Sequence, residues 1–273
     1  MPELPEVETV VCGLRPKLTG RTVTKVTARV PKLRFPVPKR LKELEGQSIE
    51  GVSRRGKYGL IHFKGGMNLL FHLGMSGKMM LKESPYTPEK HDHILLELDN
   101  KTTLVFNDAR RFGLVDLFKS QPLATHALLQ SLGVEPLGGD FTPAYLYEKL
   151  KPRKLPIKQA IMDSKMVVGI GNIYASEALY KAGIYPGTPA NRISKQKVTA
   201  LHTAIQKTLN DAIKAGGSSL KDYVHEDGSL GYFQHTFYVY GRDGETCKTC
   251  GTVIKKMVLG QRSTFYCPAC QRL

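Results

Sequence analysis

Long apolar runs are scarce in this 273-residue sequence: the longest stretch without Asp, Glu, Lys or Arg is the 15 residues from Ser120 to Val134, short of the roughly 18 that a bilayer-spanning helix needs. No secretory leader is read at the start, because Glu3, Glu6 and Glu8 stand where a basic and then an apolar region would be. A cytoplasmic protein is the expectation. Acidic residues are also few, 24 against 40 Lys and Arg, which leaves a formal charge of +16. With 41% hydrophobic and 23% charged residues the chain is neither disordered nor collagen-like. Cysteine is sparse and uneven: Cys12 stands alone, and the other four of the five fall within the last 27 residues. In a chain read without an export signal, that grouping points to metal ligands more than to a disulfide framework.

The length leads one to expect two domains and a small appendage. The positive charge is clustered, with 14 Lys or Arg and three acids between Arg15 and Lys64. An anionic membrane surface would call for a basic amphipathic helix, and the prolines at 16, 31, 36 and 38 break this region, so nucleic acid is the preferred polyanion. General solubility is the bland alternative.

Pro5, Glu6 and Glu8 open a helix that carries Val7, Val10, Val11 and Leu14 on one face. Alternation at Val26, Ala28 and Val30 and again at Ile94, Leu96 and Leu98 predicts half-buried strands. Further strands are read at Tyr58 to Phe63, Leu69 to Leu73, Thr103 to Phe106 and Leu114 to Phe118, together an antiparallel sandwich or barrel. A Gly- and Pro-rich stretch from Gly133 to Asp140 is the expected hinge into a helical part. There one helix starts near Ile173 and ends at Gly183, and another is capped by Ser194 and stopped at Gly216-Gly217.

Cys247-x2-Cys250 and Cys267-x2-Cys270 have the spacing of a tetrahedral zinc site on a hairpin, with strands from Thr252 to Val258 and Ser263 to Tyr266. Four thiolates leave no open position, so the metal is structural, not catalytic. An iron–sulfur site and a protein-binding ribbon are the alternatives; Lys255, Lys256 and Arg262 favour DNA. Gly169-Ile-Gly171-Asn172 before a helix reads on spacing alone equally as a tight turn or as an anion cradle, and the charge excess favours the cradle. Pro2 is the least ordinary residue. Loss of Met1 would leave an exposed secondary amine, nucleophilic toward aldehydic carbon, with Glu3 and Glu6 near enough to move protons. The plain alternative is a proline and two glutamates that open a helix.

Several motifs, taken in order, resemble the bacterial formamidopyrimidine-DNA glycosylase family. They are Met1-Pro-Glu-Leu-Pro-Glu-Val-Glu-Thr9, Arg54-Arg-Gly-Lys-Tyr58, His72-Leu-Gly-Met-Ser-Gly77, Lys90-His-Asp-His93, Asp108-Ala-Arg-Arg-Phe-Gly113, Gly171-Asn-Ile-Tyr174 and the four cysteines. The resemblance spans the whole chain and implies an α+β protein. Its parts would be an N-terminal antiparallel β-sandwich with flanking helices (1–134), a helix–two-turn–helix domain (135–220), and a segment with a lesion-covering loop and a four-cysteine zinc-finger β-hairpin (221–273). It implies a bifunctional glycosylase and AP lyase of base excision repair, monomeric, in the bacterial cytoplasm at the nucleoid, with one structural zinc and no organic cofactor. Its substrate would be double-stranded DNA carrying oxidised purines or abasic sites. The implied catalytic residues are Pro2 as Schiff-base nucleophile, Glu3 as proton donor, Glu6 orienting the site, Lys57 in β-elimination and Arg262 in δ-elimination. The implied DNA contacts are His72, His91, Arg153, Lys158, Asn172 and Tyr240, with Met75, Arg110 and Phe112 as a wedge that replaces a flipped nucleotide. Without that resemblance Met75 and Phe112 read as core packing. The rivals are an endonuclease VIII-like activity on oxidised pyrimidines and a non-catalytic zinc-ribbon DNA binder; Ser76, where some relatives carry Glu, leaves lesion preference open.

Overall fold

The computed structural model describes residues 2–119, 125–217 and 237–272. The chain divides into two compact units, one formed by Met1–Gln130 with Ala215–Gln234 and the other by Ser131–Lys214 with His235–Leu273. No described helix is long and apolar enough to cross a membrane.

The first unit opens with helix α1 (Leu4–Leu18), which buries Val7, Val10, Val11 and Leu14 as the periodicity predicts. Among the described residues eight strands follow: β1 (Val23–Ala28), β2 (Ile49–Arg55), β3 (Tyr58–Phe63), β4 (Met67–His72), β5 (Lys78–Glu83), β6 (Asp92–Leu98), β7 (Thr102–Asn107) and β8 (Leu114–Lys119). They form two four-stranded antiparallel sheets, in the orders β1-β6-β7-β5 and β2-β3-β4-β8. One core draws side chains from both sheets and from α1, among them Leu14, Val26, Ile61, Phe71, Ile94, Leu96 and Phe106. This is the expected sandwich. The expectation of half-burial fails at β6, where every residue but Glu97 is buried, because Leu95 and His93 on the second face are covered as well as Ile94 and Leu96 on the first.

The second unit contains α2 (Pro143–Leu150), α3 (Ile157–Ile161), α4 (Asn172–Lys181) and α5 (Lys195–Lys214), then a hairpin of β9 (Lys255–Leu259) and β10 (Arg262–Tyr266). Helix α5 begins where its cap was read, with the Ser194 hydroxyl accepting from the Lys197 N–H at 3.3 Å. Helix α4 stops at Lys181, and Gly183, where its end was read, takes a φ of +63°, a left-handed conformation that glycine adopts at least cost. The first hairpin strand is shorter than expected, since Thr252–Ile254 lie outside the ladder and only Val253 makes an isolated bridge, to Thr246. The stretch read as a hinge is pinned at its start: the Gly133 N–H donates to the Ser164 carbonyl at 2.8 Å, and Val134 bridges Val167.

Gly59 on β3 faces Phe71 on β4 in register, and a Cβ there would lie 2.0 Å from the Phe71 ring. Gly59→Ala should therefore destabilise the first unit by about 1–3 kcal/mol through overpacking, read as a lower urea midpoint with zinc content unchanged.

Candidate active site and DNA interface

At the chain start, Glu3 caps α1 and forms a reciprocal box with Glu6: the Glu3 carboxylate accepts from the Glu6 N–H, and the Glu6 carboxylate accepts from the Glu3 N–H at 2.8 Å. Both glutamates are buried. Pro2 is buried too as residue 2 of the full chain, against the exposed chain end expected once Met1 is gone. Gly217 reaches the same place, because a Cβ on it would meet Glu6 Cγ at 3.3 Å. One turn along α1, Arg54 Nε donates to Glu8 Oε2 at 2.6 Å, and Arg54 Nη1 donates to the Gly56 carbonyl at 2.9 Å. This fastens the β2–β3 turn, and with it Lys57, to the helix that carries Glu3 and Glu6. Burial raises the Glu8 carboxyl, but the hydrogen bond and charge of Arg54 outweigh it and hold it below its ordinary range.

His72 lies beside Tyr58, with ring centroids 5.0 Å apart. Burial first, then the charges of Lys57 and Arg34, push its pKa down to about 4. The ring is neutral at pH 7, and its Nδ1 accepts from the Gly74 N–H at 3.0 Å, so its proton sits on Nε2. Arg34, absent from the sequence-derived candidates, thus joins Lys57 around His72, with its own N–H bonded to the Gly113 carbonyl. The signal for it was the basic run from Arg15 to Lys64, which names no single residue.

Met75 and Phe112 are not core residues; they are 36% and 47% exposed. Arg110 stacks its guanidinium over the Phe112 ring at 4.8 Å from the centroid. His91 is partly exposed, and its carbonyl accepts from the Asp108 N–H. His93, by contrast, is fully buried with Nε2 on the Asp108 carbonyl at 2.8 Å, a structural histidine.

In the second unit, Cys247, Cys250, Cys267 and Cys270 bring their Sγ atoms within 4.8 Å of one another. The pairs Cys250–Cys267 and Cys250–Cys270 stand at 3.5 Å and Cys247–Cys270 at 3.9 Å. Tetrahedral zinc with Zn–S near 2.3 Å sets sulfurs about 3.8 Å apart, so the donor set fits the ion. The zinc module is held by α4. Tyr180 Oη lies 3.2 Å from Cys247 Sγ and 2.7 Å from Thr249 Oγ1, and the Glu177 carboxylate accepts the N–H groups of Tyr238, Val239 and Tyr240, each at 2.9 Å. Asn172 donates to the Ser263 carbonyl at 2.9 Å. Tyr240 also packs edge-on against Phe265.

The phosphate-gripping role expected of Lys158 is corrected. Lys158 is 1% exposed, and its ammonium donates to Asn172 Oδ1 at 2.6 Å, Thr264 Oγ1 at 2.7 Å and the Ser263 carbonyl at 3.2 Å. Three donors meet three acceptors, so Lys158 bolts the hairpin to α3 and α4. Its neighbour Gln159 lies against the hairpin tip at Gly260, two residues before the exposed Arg262. Arg153 is paired with Asp163 at 2.7 Å and remains partly exposed. Of the covering loop read from Gly216 to Gln234, everything from Ser218 onward lies outside the described residues.

Three family descriptions tile the sequence: the formamidopyrimidine-DNA glycosylase N-terminal domain over 1–115, its H2TH domain over 132–224, and a zinc finger found in FPG and IleRS over 244–273. The chain belongs to the formamidopyrimidine-DNA glycosylase family. It is 50% identical over 273 residues to the formamidopyrimidine-DNA glycosylase of Rhizorhabdus wittichii and 46% identical over 283 residues to that of Cereibacter sphaeroides, with both chains fully covered in each case. Its structure is similar to that of a Lactococcus lactis FPG mutant in complex with a Fapy-dG containing DNA, at a TM-score of 0.93 and 35% identity over all of both chains. As a formamidopyrimidine-DNA glycosylase family member the chain is a DNA glycosylase of base excision repair, and its four-cysteine module holds one structural zinc.

Two outcomes follow from this geometry. Cys250→Ala should abolish zinc binding and weaken DNA binding while the β-rich unit keeps its circular dichroism; equal affinity without zinc would count against a DNA-gripping hairpin. Because the folded pKa of His72 lies below its ordinary value of 6.5, its contribution is intact above pH 6.5 and lost as pH falls toward 4. The first unit should lose up to about 3 kcal/mol across that window, and His72→Gln should flatten the slope in pH-dependent urea unfolding.

Proposed function

We propose that the protein excises oxidised purines such as 8-oxoguanine and formamidopyrimidine from duplex DNA, then cuts the strand at the abasic sugar, using the Pro2 nitrogen freed by removal of Met1. The observation that carries this reading is the buried carboxylate pair of Glu3 and Glu6 at the start of α1, directly after Pro2. An α-amino group titrates near about 7.7–8.0, so a neutral fraction exists at physiological pH without the desolvation a lysine requires.

The Pro2 nitrogen attacks C1′, the glycosidic bond breaks, and the base departs with its electron pair. The Glu3 carboxylate takes the proton that the attacking Pro2 nitrogen loses and passes it to the sugar ring oxygen as the ring opens, leaving a Schiff base, as the iminium ion, between Pro2 and C1′. Glu6 orients the centre. Loss of a C2′ proton then expels the 3′ phosphate by β-elimination with Lys57 assisting, and a second elimination expels the 5′ phosphate with Arg262 assisting. Hydrolysis of the imine frees Pro2. His72 donates from its neutral Nε2–H to a phosphate, His91, Arg153, Asn172 and Tyr240 complete the grip on the backbone, and Met75, Arg110 and Phe112 fill the gap left by the flipped nucleotide. The division into 1–134, 135–220 and 221–273 assigns chemistry to the first part, backbone binding to the second, and the covering loop and zinc hairpin to the third. The protein works as a monomer in the bacterial cytoplasm, at the nucleoid.

Borohydride added during incubation with abasic duplex should trap a covalent protein–DNA adduct, and an intact mass should show Met1 absent. Binding without an adduct would favour a non-catalytic zinc-ribbon protein. Glu3→Gln should lower excision by on the order of 10²–10⁴-fold. Faster excision of thymine glycol than of 8-oxoguanine would assign the chain to oxidised pyrimidines instead.

A further inference from the structure

Asp108 is fully buried. Its Oδ1 accepts from the Ser76 hydroxyl at 2.7 Å and from the Arg110 N–H at 3.3 Å, while its Oδ2 accepts from the Gly113 N–H at 2.7 Å. The Ser76 hydroxyl oxygen in turn accepts from the Arg110 N–H at 3.2 Å. One carboxylate therefore closes its own loop, residues 108–113, and joins it to the loop of residues 73–77. The main chains of the two loops touch. A Cβ on Gly74 would lie 2.4 Å from Gly113 N and from the Phe112 carbonyl carbon, a Cβ on Gly113 would lie 2.8 Å from the His72 carbonyl oxygen, and a Cβ on Gly77 would lie 2.3 Å from the Leu73 carbonyl oxygen. Gly74 and Arg111 also take positive φ, +63° and +55°. Outward from this platform stand the exposed residues Met75, Ala109, Arg110, Arg111 and Phe112, of which Met75, Arg110 and Phe112 are those of the wedge reading.

We propose that Asp108, acting with Ser76, is a positioning residue that holds Met75, Arg110 and Phe112 in their duplex-entering arrangement before DNA arrives. The proposal rests on the wedge reading given above. Inserting side chains into a base stack is worthwhile only if their ordering cost is already met in the free protein. A buried carboxylate saturated by two main-chain N–H groups and a hydroxyl is a stiff way to meet it. Ser76 is thereby committed to the platform, so its hydroxyl serves the wedge and not base selection.

The test compares two substrates with the zinc-loaded full chain: excision of 8-oxoguanine opposite cytosine in duplex DNA, measured as a single-turnover rate, and borohydride trapping on single-stranded abasic DNA, which needs no wedge. Asp108→Asn replaces an acceptor oxygen by a donor amide facing N–H groups. It should lower the duplex rate at least tenfold more than the single-strand rate. Ser76→Ala should show a smaller loss with the same bias, and Ser76→Thr, which keeps the hydroxyl, should restore it. Arg110→Ala and Phe112→Ala serve as references. If they reduce the duplex rate selectively and Asp108→Asn does not, the wedge stands and the positioning role is overturned. If Asp108→Asn lowers both rates equally, Asp108 supports the fold or the catalytic centre at large, and the proposal is again overturned. If Arg110→Ala and Phe112→Ala leave the duplex rate unchanged, the wedge reading itself falls and takes the proposal with it.

Discussion

A carboxylate can be buried only where donors surround it, and this chain buries five among the described residues: Glu3, Glu6, Asp92, Asp108 and Glu177. Main-chain N–H groups serve all five. Glu3 and Glu6 exchange N–H groups across the first turn of α1, Asp92 takes the Glu89 N–H together with Tyr86 and Asn107, Asp108 takes those of Gly113 and Arg110, and Glu177 takes three in succession. Each bond of this kind is charge-assisted and fixes a piece of backbone. In a chain with 16 excess positive charges, the acids shape the scaffold while the surface stays basic. That division suits an enzyme of polyanionic DNA, since long-range attraction needs exposed cations and local order needs buried anchors.

The zinc module shows the same logic at small scale. Its own core is slight, built around Cys247, Ile254, Phe265 and Cys267 with Val239 and Tyr180. Metal binding folds the ribbon, and α4 orients it. Asn172, Glu177 and Tyr180 recur along that helix and reach the hairpin, the strap at residues 238–240 and the knuckle at Cys247 respectively. Lys158 adds a buried cation beside Ser263 and Thr264 of the second hairpin strand. The position of Arg262 is therefore set by polar bonds distant in sequence as well as by the metal.

That distance explains what could be read beforehand. Helices α1 and α5 were legible because their apolar residues repeat at helical spacing, and the zinc site because its ligands come in local pairs. Strands β2 and β5 were not. In β2 a bulge between Ile49 and Gly51 breaks the alternation and leaves Ile49 and Val52 buried three apart, and β5 buries only Met79. Lys158 carried no local sign of its structural role, since two of its three partners lie 105 and 106 residues downstream. Glu177 was silent for the same reason, with 61 to 63 residues separating it from its donors. Met75 and Phe112 were ambiguous because hydrophobicity alone does not distinguish a core residue from a wedge.

The touching glycines of the two-loop platform divide its residues into two kinds. Inside, no methyl group can be added at positions 74, 77 or 113 without forcing backbone apart. Outside, the side chains of Met75, Arg110, Arg111 and Phe112 are exposed and no such backbone contact confines them. On the proposed wedge reading, the platform is a holder whose tips can differ: a guanidinium would suit the edge of an orphaned cytosine, and another tip on the same holder would suit a different widowed base.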